Sequence, residues 1–141
     1  GDHRDLHSFP TRRSSDLAKN KAAFRNNSFG GKIPVKILKH IVMWKFLDNA
    51  EGKTKAENMR FAAENLRALV GVAPTLLKLS IGEDVLGSPA SFDMALVADF
   101  KSVEDMLAYR DFPRHAEISN YIRRVISDRK VVDFFIETDE N

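Results

Sequence analysis

The sequence predicts an α+β domain over residues 35–141, with the element order βαββαβ and a four-stranded antiparallel sheet. Three observations carry this reading. Segments at 37–46, 76–81, 91–100 and 131–137 have the length and apolar patterning of strands. Two longer stretches, from Thr54 and from Ser102, repeat apolar residues at helical spacing. The helical stretches are interleaved with the strands so that each can cross back over one sheet.

The first strand, ILKHIVMWKF at 37–46, is apolar on both faces. Leu38, His40, Val42, Trp44 and Phe46 share one face, and Ile37, Ile41 and Met43 lie on the other, so both faces are expected to be covered. A polar loop with Gly52 follows. Thr54 and Glu57 have the spacing of a capping box, and Met59, Ala62, Ala63, Leu66, Leu69 and Val70 form the stripe of the helix it opens. Gly71 and Pro74 suit its end. The second strand sets Leu77, Leu79 and Ile81 on one side. A loop with two glycines leads to the third, where Phe92, Met94, Leu96, Ala98 and Phe100 alternate with Asp93, Ala95, Val97 and Asp99. Ser102, with Asp105 three residues on, caps a short helix to Tyr109. Pro113 breaks that helix and starts another, to about Ser127, with the stripe Ile118, Tyr121, Ile122, Val125 and Ile126. The last strand is 131–137. This order is ferredoxin-like.

Helices cover one sheet face. The other presents Ile37, Ile41, Met43, Ala95, Val97, Val132, Phe134 and Ile136. Such a patch exceeds the roughly 300–600 Å² that a monomer ordinarily leaves open. A second copy packed sheet to sheet about a two-fold axis would bury it, so the chain is expected to be a homodimer through this face.

The N-terminal residues read differently. Residues 1–17, GDHRDLHSFPTRRSSDL, resemble residue for residue the forward translation of a sequencing-library adapter. They are expected to be adapter-derived, without structure, and His3 and His7 carry no functional weight. Residues 18–34 lack sustained apolar periodicity and are expected to be an unstructured leader. Several bacterial start codons would read as Val, Ile or Leu in an open frame, which makes 35–38 a candidate native start.

Charge excludes one class of partner. The chain holds 22 Lys/Arg and 20 Asp/Glu; 1–17 contain three of each, 18–34 contain four bases and no acid, and 35–141 keep 15 bases and 17 acids. The basic excess thus lies outside the domain, and no nucleic-acid partner is expected. No apolar run reaches the roughly 18–20 residues that span a bilayer, so no membrane partner is expected either. With no cysteine, neither a disulfide nor a thiolate metal site can form, in keeping with a cytoplasmic location. No phosphate-binding glycine motif, nucleophile elbow or zinc signature is present. Glu83, Asp84 and Asp93 match no calcium-loop spacing and read as a solvated loop. Arg123 and Arg124 read as a solvated helix face, and Trp44 as core or interface packing.

Four segments carry a family resemblance. Lys39-His40-Ile41-Val42-Met43-Trp44-Lys45-Phe46 is similar to the opening strand of the stress-responsive dimeric α/β-barrel (Dabb) family. So is 92–100 with the following Lys101-Ser102-Val103-Glu104-Asp105. Tyr109-Arg110-Asp111-Phe112-Pro113-Arg114-His115 resembles its Tyr-x-x-His-Pro-x-His segment, and Arg129-Lys130-Val131-Val132-Asp133-Phe134 its final strand. The resemblance implies a dimeric α/β barrel with a pocket between sheet and helices in each subunit. It does not imply one activity. One plant member of the family is a polyketide cyclase that works without cofactor, and by resemblance its site residues fall on His40, Tyr109 and His115.

Those three are the candidate catalytic residues. His115 is the expected base, since an imidazole exchanges a proton near neutral pH. Tyr109 is the expected donor to an enolate or oxyanion, and His40 a second polar anchor. Phe46, Phe92, Met94 and Leu96 are expected to form an apolar ligand-binding wall. No metal and no cofactor is expected. The plainer alternative is that His40 is a hydrogen-bonded core residue and that His115 makes local backbone contacts. Two departures from the family pattern weaken transfer of the cyclase reaction: Phe112 replaces the first His of its His-Pro-x-His run, and Met94 falls where the cyclase has another pocket His.

The functional expectation is therefore a homodimer that binds a small apolar or aromatic metabolite. A cofactor-independent cyclase, lyase or monooxygenase is the second reading, and a structural stress-related dimer without ligand the third.

Overall fold

Residues 33–140 are described, in a computed structural model of the chain. The chain divides into two units. One, Gly1–Val35 with Glu137–Asn141, lies almost wholly outside the described residues; the other, Lys36–Ile136, carries the fold. The adapter-like segment 1–17 falls outside the described residues, as does the leader up to 32. The first strand begins at Ile33, two residues inside the segment read as leader.

The elements run β1 (Ile33–Phe46), β2 (Asn49–Ala50), β3 (Lys53–Thr54), α1 (Lys55–Arg67), β4 (Lys78–Glu83), β5 (Met94–Phe100), α2 (Val103–Asp111), α3 (Pro113–Val125) and β6 (Ile126–Glu140). The main sheet has the order β4-β5-β1-β6. Leu38 sits opposite Phe100 and Trp44 opposite Met94, so β1 and β5 are antiparallel, as are β4 and β5. Against β6, the Leu47 amide donates to the Val125 carbonyl at 2.9 Å, and His40 meets Asp133 farther along. The partner number rises as the β1 number falls, so this pair is antiparallel too. The topology is ferredoxin-like.

Strand alternation sorts the side chains. Leu38, Val42, Trp44 and Phe46 of β1 and Met94, Leu96, Ala98 and Phe100 of β5 are buried on the helix-facing side. They meet Met59, Ala62, Ala63 and Leu66 of α1, and Ile118, Ile122 and Val125 of α3. On the opposite face Ile41 pairs with Val97 and Met43 with Ala95. That face is not uniformly apolar, because Lys39 and Asp99 form an ion pair across it at 3.0 Å. Val132 (54 % exposed), Phe134 (44 %) and Ile136 (36 %) extend it onto β6.

The caps match their sequence signals. Thr54 accepts from the Glu57 amide at 3.2 Å while Glu57 accepts from the Thr54 amide at 2.9 Å, a reciprocal capping box. Ser102 accepts from the Asp105 amide at 3.1 Å. Phe112 is extended (φ −61°, ψ 128°), because the ring of the following proline disfavours helical geometry there.

Several element readings differ: β5 opens at Met94 rather than Ser91, and α1 ends at Arg67, before the Leu69 and Val70 of its expected stripe. The polar loop at 48–53 contains a small hairpin, β2–β3, closed by Glu51 (φ 52°) and Gly52 (φ 73°), both left-handed as a type I′ turn requires. Two-residue strands are too short to display alternation. β4 runs later than 76–81 because its ladder with β5 continues to Glu83 opposite Met94. β6 starts at Ile126, five residues early: the polar run Ser127-Asp128-Arg129-Lys130 has no strand pattern, yet follows straight on from the Val125–Leu47 pairing.

Candidate functional site

The break between α2 and α3 builds the site. It sets Tyr109, in the last turn of α2, against His115, in the first turn of α3, with ring centroids 4.2 Å apart. Tyr109 also packs on Phe100 of β5 at 5.1 Å. His40 enters from β1, with its ring edge toward Phe100 at 6.3 Å. His40, Tyr109 and His115 all line one cavity of about 480 Å³ between the sheet and the helices. That volume lies within the range typical of small-molecule pockets.

The sheet lines the cavity with Val42, Trp44, Leu96 and Ile126 beside the polar His40 and Arg129, and Leu66 of α1 and Ile122 of α3 add apolar surface. Of the expected wall residues, only Leu96 lines it. Phe46 and Met94 are buried in the core elsewhere. Met94 pairs with Trp44, and it is Trp44 that reaches the cavity. Phe92 precedes β5 and lies under the Lys45 ammonium at 5.2 Å, on the far side of β1 from the cavity. Alternation groups Phe46, Met94 and Leu96 correctly by face, but not Phe92, which lies ahead of the first residue of β5. It cannot say which part of a face the helices fill and which they leave open.

Each polar group has a distinct environment. Tyr109 is only 3 % exposed, and its hydroxyl has no hydrogen-bond partner among the described residues. Burial raises its pKa above the usual phenol value, so it stays a neutral donor. His115 Nδ1 lies 3.1 Å from the Arg110 carbonyl, one of the acceptors that the end of α2 leaves without a helical partner. A carbonyl only accepts, so Nδ1 carries the proton and donates. Neutral His115 therefore keeps its lone pair on Nε2. Its pKa is lowered from 6.5, chiefly by burial; the Arg110 hydrogen bond opposes this, and the nearby charges of His40, Arg129 and Arg123 add to it. At neutral pH it is a free base with a defined tautomer.

His40 Nδ1 is 2.5 Å from Asp133 Oδ1 on the neighbouring strand. A carboxylate accepts, so it fixes Nδ1 as the donor and orients the ring. Asp133 was not singled out from the sequence. The antiparallel register of β1 and β6 would have paired it with His40, but that register is visible only when β6 is known to start at Ile126.

Sequence reasoning also missed the arginines. Arg110, Arg123 and Arg129 line the cavity. Arg123 and Arg124 are exposed, as the solvated-face reading expects, and Arg123 in addition flanks the cavity. The signal was available, since His115, Ser119 and Arg123 recur every four residues on α3 and all three face it. Among the described residues no cluster of His, Asp or Glu could hold a metal ion. Asp84 instead accepts from the Gly87 amide at 2.6 Å, and Asp93 from the Phe46 amide at 2.7 Å. No helix of the described residues is long and apolar enough to cross a membrane.

Solved structures resemble this fold. A dimeric ferredoxin-like protein of unknown function from Thermobifida fusca is 24% identical, with TM-score 0.63, covering 72% of this chain and 92% of its own. Hydroxynitrile lyase from Passiflora edulis is 21% identical, with TM-score 0.59, covering 71% and 93%. SnoaB, a cofactor-independent oxygenase from Streptomyces nogalater, is 9% identical, with TM-score 0.53, covering 70% and 90%. At these identities the likeness is one of fold. Comparison with curated proteins gives no match. The family profile described as the stress responsive A/B barrel domain, Dabb, aligns with residues 38–136, from Leu38 of β1 into β6, and by that match the chain belongs to the Dabb family.

Proposed function

We infer that this Dabb protein works as a homodimer that binds a small, mostly apolar molecule in the cavity between sheet and helices. The observation that carries the reading is the Tyr109 hydroxyl. It is buried and, among the described residues, unpartnered beside a cavity of about 480 Å³ that two oriented histidines also line. An unpaired buried polar group is costly, and a ligand group that displaces the side chains sealing it from the cavity would relieve it. The dimer is supported by the apolar outer face of β1, β5 and β6, and by the dimeric state of the Thermobifida fusca neighbour.

Trp44 supplies the assay. It is the single tryptophan of the chain and lines the cavity. Titration with 4-pentylphenol should shift its emission saturably, and Leu96→Phe should weaken the shift by narrowing the cavity. An unchanged emission across the titration would refute ligand binding. Light scattering at micromolar concentration should give twice the chain mass, and Phe134→Arg should halve it. A wild-type protein that runs as one copy would refute the dimer.

The site chemistry supports a second reading, a cofactor-independent enzyme. His115 offers a neutral Nε2 as base and Tyr109 a neutral phenol as donor, the pair needed to remove a proton beside a carbonyl and hold the resulting oxyanion. His115→Ala and Tyr109→Phe should then lower turnover of a carbonyl substrate while the dimer persists. Unaffected turnover would reject catalysis by these groups.

A further inference from the structure

We propose that the cavity takes an amphipathic carboxylate, its apolar body on the sheet and its carboxylate held by Arg123 and Arg129. This rests on the ligand-binding reading above and narrows it to one chemical class.

The argument is one of charge balance. No carboxylate residue lines the cavity, whereas three arginines do; of the two histidines there, His115 is neutral and His40 is paired with Asp133. Arg110 is accounted for, since its Nε lies 3.0 Å from Asp111 Oδ1. Among the described residues Arg123 donates only to neutral acceptors, Asn120 Oδ1 at 2.6 Å and Ser119 Oγ at 3.5 Å. Neither Arg123 nor Arg129 has a carboxylate within ion-pair distance among the described residues. The end of α3 favours a cation at Arg123 but provides no countercharge with two oxygens.

The residues are also layered. Val42, Trp44, Leu66 and Leu96 are buried, while Arg123 and Arg129 are exposed. An apolar floor beneath a cationic rim suits a molecule with an oily body and an acidic end. A guanidinium fork matches the two oxygens of a carboxylate. Both arginines line the same cavity as His115 and disfavour its protonation. A polyanion such as nucleic acid is a poor alternative, because residues 35–141 carry two more acids than bases.

The test uses matched ligands of one chain length, octanoate and 1-octanol, read through Trp44 emission in the full chain. Octanoate should bind about tenfold or more tightly than 1-octanol, the worth of one charge-assisted hydrogen bond. In Arg123→Gln/Arg129→Gln that preference should vanish while 1-octanol binds as before. Raising the salt should shrink the preference in the wild type. Equal binding of the two ligands to the wild type would overturn the proposal and leave the apolar cavity reading standing. A preference that survives in the double variant would overturn the assignment to these arginines. Octyl phosphate binding far more tightly than octanoate would replace the carboxylate with a phosphate ester. If neither octanoate nor 1-octanol moves Trp44 emission, both readings fall.

Discussion

Tyr109→Phe removes one oxygen from the centre of the site and nothing else. The ring keeps its contacts with Phe100 at 5.1 Å and His115 at 4.2 Å, so no packing is lost. The hydroxyl removed is buried and has no partner among the described residues. Burying such a group costs about 1–3 kcal/mol, which the phenylalanine avoids. The variant should therefore be more stable than wild type, by about 1 kcal/mol, which for a domain of this size raises Tm by roughly 4–8 °C. Ligand binding should move the opposite way. Losing a hydrogen bond to the ligand of about 0.5–1.5 kcal/mol weakens a hydrogen-bonding ligand roughly 2–10-fold. The assay pairs thermal denaturation followed by circular dichroism with titration of 4-pentylphenol against Trp44 emission, both at fixed protein concentration because dimerisation shifts Tm. Stability and function trade in opposite directions only if the hydroxyl serves a ligand. A variant that melts lower than wild type, with unchanged affinity, would refute the reasoning, because the hydroxyl would then belong to the fold.

His115 predicts a pH effect. Its folded pKa lies below 6.5, so the unfolded chain binds the proton more readily, and its contribution to stability is complete above 6.5 and lost as the pH falls through that value toward the folded one. Nuclear magnetic resonance should titrate its ring below 6.5, and in His115→Gln the acid-side loss of Tm should be smaller; a ring titrating above 6.5 would contradict the burial argument. Asp133→Ala should release the His40 ring: its hydrogen-bonded Nδ1 proton signal disappears from the proton spectrum, with at most about 1 kcal/mol lost because the pair is partly exposed. Persistence of that signal would mean another acceptor holds the ring. Thr54→Ala should lower stability by about 1 kcal/mol in denaturant melts, the usual worth of a capping side chain, and Thr54→Ser should restore it.

Local chemistry made much of the architecture legible. The capping box at Thr54 and Glu57, the Ser102 cap and the Phe112–Pro113 break each depend on residues within four positions of one another, and each forms as its spacing requires. Alternation along β1 and β5 sorted buried from outward residues correctly, because the side-chain period of a strand is two whatever it pairs with. The same alternation, with the family resemblance, brought His40, Tyr109 and His115 forward as candidates, and they line one cavity.

The sequence by itself determined these local choices and the face each residue takes, since both follow from backbone geometry and near neighbours. Tertiary structure alone decided the rest. β6 extends back to Ile126 through polar residues because β1 is there to pair with it. Asp133 meets His40 only through that register, 93 positions away in the chain. Phe46 and Met94 share a face with Leu96, yet helix packing fills the space above them and leaves it open above Trp44 and Leu96. Where a cavity falls depends on the summed shapes of elements distant in the chain, and no local periodicity encodes that sum.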